Sequence, residues 1–250
     1  MGLKLEHINA NISLEQKQVI RDLNLVIEPG SVHVLMGPNG SGKSSLAKLL
    51  LNHSDYELTS GKISIDDVDL TTADTTTRAK AGLFLANQYP PEIPGVNLAN
   101  FLRLAYNSQH EEKLSIYRFR QLLKQKLQEL GLGEEFMNRN LNEGFSGGEK
   151  KKCEILQLII LSPKYAILDE TDSGLDVDAI RIVFTNIAKL ISENKKLGVL
   201  LITHYPRIFD YINPDYVHLF KAGSIQLTGG MELAKKIDLE GYLGDYLESE

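Results

Sequence analysis

The sequence is poor in cysteine and in long apolar runs. Cys153 is the single cysteine among 250 residues, so one chain can form neither an internal disulfide nor a thiolate metal cluster. Its place within a helical pattern predicts a small buried hydrophobe in preference to a reactive thiol. No segment reaches the roughly 18 to 20 apolar residues that cross a bilayer, and segments such as Leu197–Ile202 have the length of buried strands. We therefore expect no direct membrane insertion.

The chain also has no excess of positive charge and no recognisable targeting segment. Its formal net charge is −6, which gives no electrostatic reason to bind a phosphate backbone and argues against nucleic acid as a partner. The first residues lack both the apolar core of a secretory signal and the Arg- and Ser-rich character of a transit peptide. We expect the protein to work where it is made, either in the cytoplasm or in the stroma of an organelle that encodes the gene.

Strand-like and helix-like patterns alternate on both sides of a helical segment. The predicted strands are Leu3–Ile12, Leu23–Ile27, Val32–Met36, Gly61–Asp66, Gly82–Ala86, Tyr165–Leu168 and Val199–Ile202. Helical spacing marks 44–51 and Val177–Ile191, and amphipathic helical patterns fill 97–161. This order predicts an α/β core with an inserted all-α subdomain. We predict one domain over 1–250, with 1–96 and 162–250 as the core and 97–161 as the helical subdomain.

A glycine-rich loop between a strand and a helix carries the first chemical motif. Residues Gly37, Pro38, Asn39, Gly40, Ser41, Gly42, Lys43 and Ser44, followed by Ser45, match the phosphate-binding pattern G-x-x-x-x-G-K-[ST]. Glycines let the backbone turn several N–H groups toward one anion, and the helix N-terminus adds positive potential. Lys43 supplies charge for the β- and γ-phosphates, and Ser44 offers a hydroxyl to Mg²⁺. The loop therefore predicts ATP and Mg²⁺ as ligands, against the alternative of a structural turn.

Two acids end an apolar strand later in the chain. Asp169 and Glu170 follow Tyr165–Leu168, and the carboxyl ends of buried parallel strands are where α/β folds place ligands. We expect Asp169 to orient Mg²⁺ through its water shell and Glu170 to take the proton from the attacking water. The alternative, that both acids merely end a strand in solvent, loses weight beside a phosphate-binding loop.

The segment Phe145-Ser-Gly-Gly-Glu-Lys-Lys151 precedes a predicted helix that runs to about Leu161. Ser146, the backbone of Gly147 and Gly148, and the helix N-terminus can grip a phosphate, although an ordinary helix cap would use the same residues. The segment resembles the signature motif of ATP-binding-cassette (ABC) ATPases. In that family it grips the γ-phosphate held by another subunit, so the resemblance implies a head-to-tail dimer with ATP at the interface.

Further matches to the ABC family occur in the expected order. Gln88 resembles the Q-loop glutamine that contacts Mg²⁺ or water, 173–176 resembles the D-loop, and His204 resembles the switch histidine at the γ-phosphate. The resemblance implies an ABC-type P-loop NTPase fold with a mixed-sheet core, an antiparallel β subdomain and an inserted all-α subdomain. One departure is the absence of an aromatic residue in 13–20. We expect aliphatic contact to the base from Val19 or a residue near it and weak base selectivity, which leaves the choice between ATP and GTP open.

The resemblance is closer to one branch, the SufC family, which contains the ATPases of the SUF iron–sulfur cluster assembly machine. It runs through essentially the whole chain and is strongest at 88–96, 144–151, 169–176 and 203–211. Transporter ATPases of the family typically have a proline after the catalytic glutamate and a glutamine in the signature. This chain has Thr171 and Glu149 at these two positions, and both departures agree with the resemblance to the SufC family. The resemblance implies that the chain binds the scaffold proteins SufB and SufD. A stiff apolar segment, 89–94, is a candidate partner surface or a plain structural loop.

Three other functions are compatible with part of this set of motifs. An ATP-binding subunit of a membrane ABC importer shares every motif. A non-catalytic regulator would lack Glu170 or His204, and a DNA-repair cassette would carry a long coiled-coil or zinc insertion. The basic run 150–152 suggests that one of its lysines pairs with Glu170 or Asp172 in a resting monomer, against the simpler reading of a solvated helix face.

Overall fold

The computed structural model describes residues 1–243 of the chain. It forms two compact units. Unit 1 contains Met1–Leu85, Lys164–Glu170 and the described chain from Asn194 onward, whereas unit 2 contains Ala86–Pro163 and Thr171–Glu193. The domain boundaries expected at 97 and 161 stay a prediction.

Unit 1 is built on two sheets. The antiparallel sheet has the order β2-β1-β4-β5. Its strands are β1 (Leu3–Ile12), β2 (Lys17–Ile27), β4 (Tyr56–Ile65) and β5 (Val68–Asp69). The mixed sheet has the order β12-β11-β3-β10-β9-β6. Its strands are β3 (Val32–Met36), β6 (Leu83–Ala86), β9 (Tyr165–Asp169), β10 (Gly198–Ile202), β11 (Tyr216–Lys221) and β12 (Ser224–Gly229).

The centre of the mixed sheet is parallel and fully buried. β3 pairs with β10 and β11, and β10 pairs with β9, all in parallel. All five residues of β3, β9 and β10 are buried, which explains why these strands are apolar runs without polar alternation. Their carboxyl ends lie together at one edge, and that edge carries the candidate site.

One hydrophobic core joins the sheets of unit 1 to the helix that follows β3. This helix is α1 (Lys43–Leu50), and it buries Leu46, Leu49 and Leu50 in the core. The other helices of unit 1 are α2 (Thr75–Lys80) and α7 (Met231–Glu240), with short 3₁₀ helices at Pro206–Asp210 and Gly241–Leu243.

Arg78 of α2 caps the C-terminal end of α1. The buried guanidinium donates hydrogen bonds to Leu49 O at 2.8 Å and Leu50 O at 2.9 Å, and it also contacts the carbonyls of Thr71 and Ala73. Because the last carbonyls of a helix lack intrahelical partners and carry negative potential, a cation here is favourable. Arg78 thus fixes the end of α1 that is farthest from the phosphate-binding loop.

Unit 2 is mainly helical. Its helices are α3 (Leu98–Gln109), α4 (Ile116–Glu129), α5 (Gly147–Leu161) and α6 (Val177–Glu193), with a 3₁₀ helix at Glu134–Asn138. A small antiparallel pair, β7 (Ile93–Asn97) with β8 (Asn140–Leu141), completes it. Cys153 of α5 is buried, as predicted, and burial raises the pKa of its thiol to about 12. The predicted α/β core with a helical insertion is confirmed.

Two buried histidines form a hydrogen-bonded chain across neighbouring strands of unit 1. His33 Nδ1 of β3 lies 2.9 Å from His218 Nε2 of β11. The chain continues from His33 Nε2 to Ser31 Oγ and from His218 Nδ1 to Thr228 Oγ1, each at 2.9 Å. Such a chain satisfies every ring nitrogen only while the rings share their protons in complementary tautomers. Protonation of both rings would place two charges side by side in the core.

We predict that this pair makes stability fall on acidification. Burial lowers the pKa of His218 to about 4, with a smaller contribution from His33. Burial also lowers the pKa of His33, against the opposing carboxylates Glu28 and Asp215, and Tyr216 packs on its ring. Both folded-state pKa values lie below the unfolded value, so the stability is complete above about pH 6.5 and is lost as the pH falls toward 4.

The expected loss for His218 alone is about 2 kcal/mol between pH 7.5 and pH 5. Urea unfolding of the wild type and of His218→Gln at both pH values measures it. The change in unfolding free energy between the two pH values is compared in the two proteins, and groups that titrate in the same way in both cancel. Parallel pH dependences in the two proteins would contradict the prediction.

Candidate functional site

The phosphate-binding loop has the backbone that its glycines require. Gly42 is the N-cap of α1 at φ 107°, and an added Cβ there would lie 2.8 Å from Val19 O. A Cβ on Gly37 would collide with the carbonyl oxygen of Phe220. At Gly40, φ is +77° and the space around an added Cβ is open. The first two positions are therefore fixed by close packing, while the loop tip is exposed. Val19 lies beside the loop, and its contact with a base stays a prediction.

Two polar side chains of the loop fit a phosphate ligand. Lys43 is buried, and its Nζ donates to Gly37 O at 2.8 Å and to Pro38 O at 3.0 Å. Burial lowers the pKa of the Lys43 ammonium, and the carboxylates of Glu170 and Asp169 oppose that shift. Ser41 Oγ is buried and has no hydrogen-bond partner within residues 1–243. A buried hydroxyl without a partner is costly unless a ligand satisfies it, and a phosphate oxygen would do so.

The structure brings together Ser44 and Asp169, the two residues that the sequence assigns to Mg²⁺ beside Gln88. The Ser44 hydroxyl donates to Asp169 Oδ1 at 3.2 Å, although the two residues are 125 positions apart. Ser44 lies in the first turn of α1, and Asp169 is the buried last residue of β9. A hydroxyl and a carboxylate are oxygen ligands of the kind that Mg²⁺ prefers. The donor set therefore fits a magnesium ion.

Glu170 and His204 lie at the ends of neighbouring parallel strands. Glu170 follows β9, its N–H donates to Ile202 O at 2.9 Å, and its φ of 45° is unusual for a residue with a side chain. His204 Nδ1 lies 3.7 Å from Glu170 Oε1. The Glu170 side chain is 11% exposed and that of His204 45% exposed. A strained backbone conformation such as that of Glu170 is a common feature of active sites.

The signature residues lie in unit 2 and form a capping box at the start of α5. Ser146 is the N-cap: its Oγ accepts from Glu149 N at 3.3 Å, and Glu149 Oε2 accepts from Ser146 N at 2.7 Å. The helix-cap reading is thus correct for this residue. It leaves the phosphate role open, because a hydroxyl that accepts one bond still has its own O–H to donate. Ser146 and Gly147 are exposed, and an added Cβ on Gly147 would meet nothing within 4 Å.

The remaining predicted residues also lie in unit 2. Gln88 is half-buried and comes two residues after the end of β6. In the D-loop, 173–176, Asp176 Oδ1 accepts from Ala179 N at 2.7 Å, so this side chain caps the start of α6. The roles assigned to these residues from the sequence stay predictions.

Sequence reasoning missed a polar network around Asn87. Glu154 Oε1 accepts from Asn87 N, and Lys151 Nζ donates to Asn87 O, both at 2.6 Å. The one sequence signal for it was a Lys–Glu pair three residues apart at the point where the basic run gives way to the apolar part of the helix. Lys150, from the same basic run, contacts Glu92 at 2.7 Å. The hypothesis that a lysine of the run pairs with Glu170 or Asp172 stays a prediction.

Comparison with known proteins gives the family. The family described as ABC transporter matches residues 20–173. The chain is 48% identical over 242 residues to the "Probable ATP-dependent transporter ycf16" of Cyanophora paradoxa, with 95% of this chain and 93% of the relative covered. It is 46% identical over 242 residues to "Vegetative protein 296" of Bacillus subtilis (strain 168), with coverage of 96% and 91%.

Solved structures support the fold. A dimeric bacterial ABC transporter cassette matches with a TM-score of 0.78 at 21% identity, covering 92% of this chain and 98% of that chain. The predicted fold class, an ABC-type P-loop NTPase, is confirmed. The family match, the near full-length relatives and the shared fold agree. The chain therefore belongs to the ABC transporter family and is an ATPase of the ATP-binding-cassette type.

Proposed function

We propose that this chain binds Mg-ATP between two copies of itself and hydrolyses it to change the conformation of a scaffold partner. The observation that carries the proposal is the convergence in unit 1 of the phosphate-binding loop, the Ser44–Asp169 pair and the Glu170–His204 pair. These groups come from three separate stretches of chain, and the parallel strands β3, β9 and β10 bring them to one edge.

Each group has a role that its chemistry allows. Lys43 binds the β- and γ-phosphates, and Ser41 and the loop N–H groups bind the remaining oxygens. Ser44 and Asp169, together with Gln88, would hold Mg²⁺, which neutralises charge on the phosphate oxygens when bound. Glu170 accepts the proton of the attacking water, and His204 contacts the γ-phosphate and is close enough to orient the Glu170 carboxylate.

The second half of the site comes from another copy. The Ser146 hydroxyl, the N–H groups of Gly147 and Gly148, and the N-terminus of α5 form an anion-binding group. Since Gly147 has free space where a side chain would stand, a phosphate can approach its backbone. This exposed surface supports a head-to-tail dimer in which the signature of one protomer closes the nucleotide site of its partner.

The partner that we propose is the SufB–SufD scaffold. The motif resemblance to the SufC family supports it, and unit 2 has an exposed apolar groove that could receive a protein partner. An open groove of about 530 Å³ is lined by residues that include Val96, Phe101 and Leu104. Leu104, one of these lining residues, is 63% exposed. Apolar side chains exposed around a groove are typical of a surface that binds another protein.

The alternative is an ATP-binding subunit of a membrane ABC importer. Relatives named as transporter proteins favour it, among them a "Probable ABC transporter ATP-binding protein" of Streptococcus pyogenes, 46% identical over 242 residues. Within the described residues, no helix is both long and apolar enough to span a bilayer. This alternative implies co-purification with a transmembrane subunit.

Affinity purification followed by mass spectrometry separates the two functions. The wild type is expected to retain SufB and SufD, and Leu104→Glu is expected to lose them because a charge in the groove must be desolvated on binding. Leu239→Glu is the matched control, since Leu239 is also exposed (84%) but lies on α7 of unit 1. Enrichment of a membrane-spanning subunit in place of SufB and SufD would favour the importer.

A further inference from the structure

Both polar backbone groups of Asn87 are held by side chains of one helix. The Asn87 N–H donates to Glu154 Oε1, and the Asn87 carbonyl accepts from Lys151 Nζ, each at 2.6 Å. Lys151 and Glu154 lie one turn apart on α5, with Lys151 Nζ 3.7 Å from Glu154 Oε2. Asn87 directly precedes Gln88, the residue assigned to the magnesium ion or its water. We call these three residues the Asn87 clamp.

The burial of the clamp argues against a purely stabilising role. Lys151 and Glu154 are each 3% exposed, and a buried ion pair can often be replaced by apolar residues without loss of stability. The rest of α5 provides such residues, since Cys153, Ile155 and Leu156 are all buried. The charged groups instead fix the orientation of the Asn87 backbone, because hydrogen bonds to charged groups are short, strong and directional.

Two more contacts tie the same loop to the signature region. Lys150 of α5 contacts Glu92 at 2.7 Å, and Asn142 Nδ2 donates to Pro91 O at 2.8 Å. The chain from Asn87 to Glu92 is thus attached at both ends to α5 or to the segment just before it. A displacement of α5 must carry this loop along.

We propose that Lys151 and Glu154 are positioning residues for Gln88. They fix the peptide of Asn87 to α5, so the direction in which Gln88 leaves the strand is set by the helix whose N-terminus carries Ser146 and Gly147. Engagement of the signature by a partner's nucleotide would then act on the orientation of Gln88 through α5. This inference rests on the proposed function, in which Gln88 and the signature serve two nucleotide sites of a dimer.

The test uses the full chain with a charge-free replacement of the clamp. Lys151→Met/Glu154→Leu removes both holds on Asn87 and removes the two charges of the Lys151–Glu154 pair together. Lys152→Met is the matched control, because it removes the same charge from the same basic run at the next position. Glu154→Gln is a milder second variant that keeps the shape and an acceptor for the Asn87 N–H, should the double variant fold poorly.

The first readout is amide hydrogen exchange of the peptide that contains Asn87, measured without nucleotide. We expect its protection to be lost in the double variant, reduced in Glu154→Gln and unchanged in Lys152→Met. Full protection of this amide in the double variant would overturn the clamp. This readout does not depend on ATP hydrolysis, so it stands even if the proposed function fails.

The second readout is the dependence of ATP turnover on Mg²⁺ concentration. Loss of groups that orient a metal ligand reduces metal affinity or activity by about 10- to 100-fold. We expect a reduction in kcat of that size and a higher half-saturating Mg²⁺ concentration, with the KM for ATP nearly unchanged. The effect should disappear in a Gln88→Ala background. An equal effect with and without Gln88 would overturn the positioning role, whereas a wild type without ATPase activity would overturn the proposed function itself.

Discussion

Replacement of Lys43 by alanine is expected to abolish productive nucleotide binding and, with it, ATP turnover. Lys43 is a buried cation that already lies within the field of Glu170 and Asp169. Without it, the triphosphate would enter a site with two nearby carboxylates and without the ammonium that opposes their charge. Truncating one member of a buried charge pair costs about 2–5 kcal/mol, so we expect affinity to fall by a factor on the order of 10² or more.

The loss should come from binding and not from unfolding. Burial already disfavours the charged form of Lys43, so its removal relieves a desolvation penalty in the free protein. Titration calorimetry with Mg-ATP and a thermal melt, both compared with Lys48→Ala from the last turn of the same helix, separate the two effects. Wild-type affinity in Lys43→Ala would remove this residue from phosphate binding.

Glu170→Gln is expected to keep ATP binding and to lose hydrolysis. The glutamine preserves size and a carbonyl acceptor but cannot take a proton from water. Loss of a general base slows turnover by about 10²- to 10⁴-fold. ATP should then persist at the interface and hold two protomers together. Glu6→Gln, an exposed site on β1, is the control for the chemical change alone.

Two measurements check this prediction. Single-turnover hydrolysis gives the rate of the chemical step, and light scattering with ATP gives the fraction of dimer. We expect a slow step and a stable dimer in Glu170→Gln only. Unchanged hydrolysis in this variant would mean that another group accepts the proton.

Contiguous motifs and fully buried strands could be predicted from the sequence alone. The phosphate-binding loop is eight adjacent residues whose spacing is set by the loop itself. β3 and β9 are apolar runs because both of their faces are covered. The predicted strand Leu3–Ile12 has its observed bounds, and the predicted end of α5 at about Leu161 agrees with the structure.

The half-exposed strands were harder to place for physical reasons. β2 begins at Lys17, six residues before the predicted start at Leu23. Asp22 has a φ of 41° and the pairing register shifts near it, so the alternation of apolar and polar residues is interrupted there and does not reveal the first half of the strand. β7 was missed because it contains Pro94 and Gly95, residues that strands disfavour. A local pattern of alternation cannot show pairing that is interrupted by a bulge.

Contacts between residues that are distant in the sequence could not be predicted from it. Glu154 and Asn87 are 67 positions apart, and Lys150 and Glu92 are 58 positions apart. The sequence shows that the basic run is charged, but only the packing of unit 2 selects its partners. A single sequence contains no information about which of many carboxylates will lie near a given lysine.

The composite site is tested most directly by mixing two inactive variants. Lys43→Ala lacks a working phosphate-binding loop but keeps its signature. Gly147→Asp keeps the loop but places a negative charge where a partner's phosphate must lie. The substitution has room at this position, and an acid in the first turn suits a helix.

A head-to-tail heterodimer of these variants contains one intact site, formed by the loop of one chain and the signature of the other. We therefore expect ATPase activity to appear on mixing, to rise with the concentration of either partner, and to exceed the sum of the separate activities. If Gly147→Asp hydrolyses ATP at the wild-type rate by itself and mixing adds nothing, a single chain suffices and the shared site does not exist.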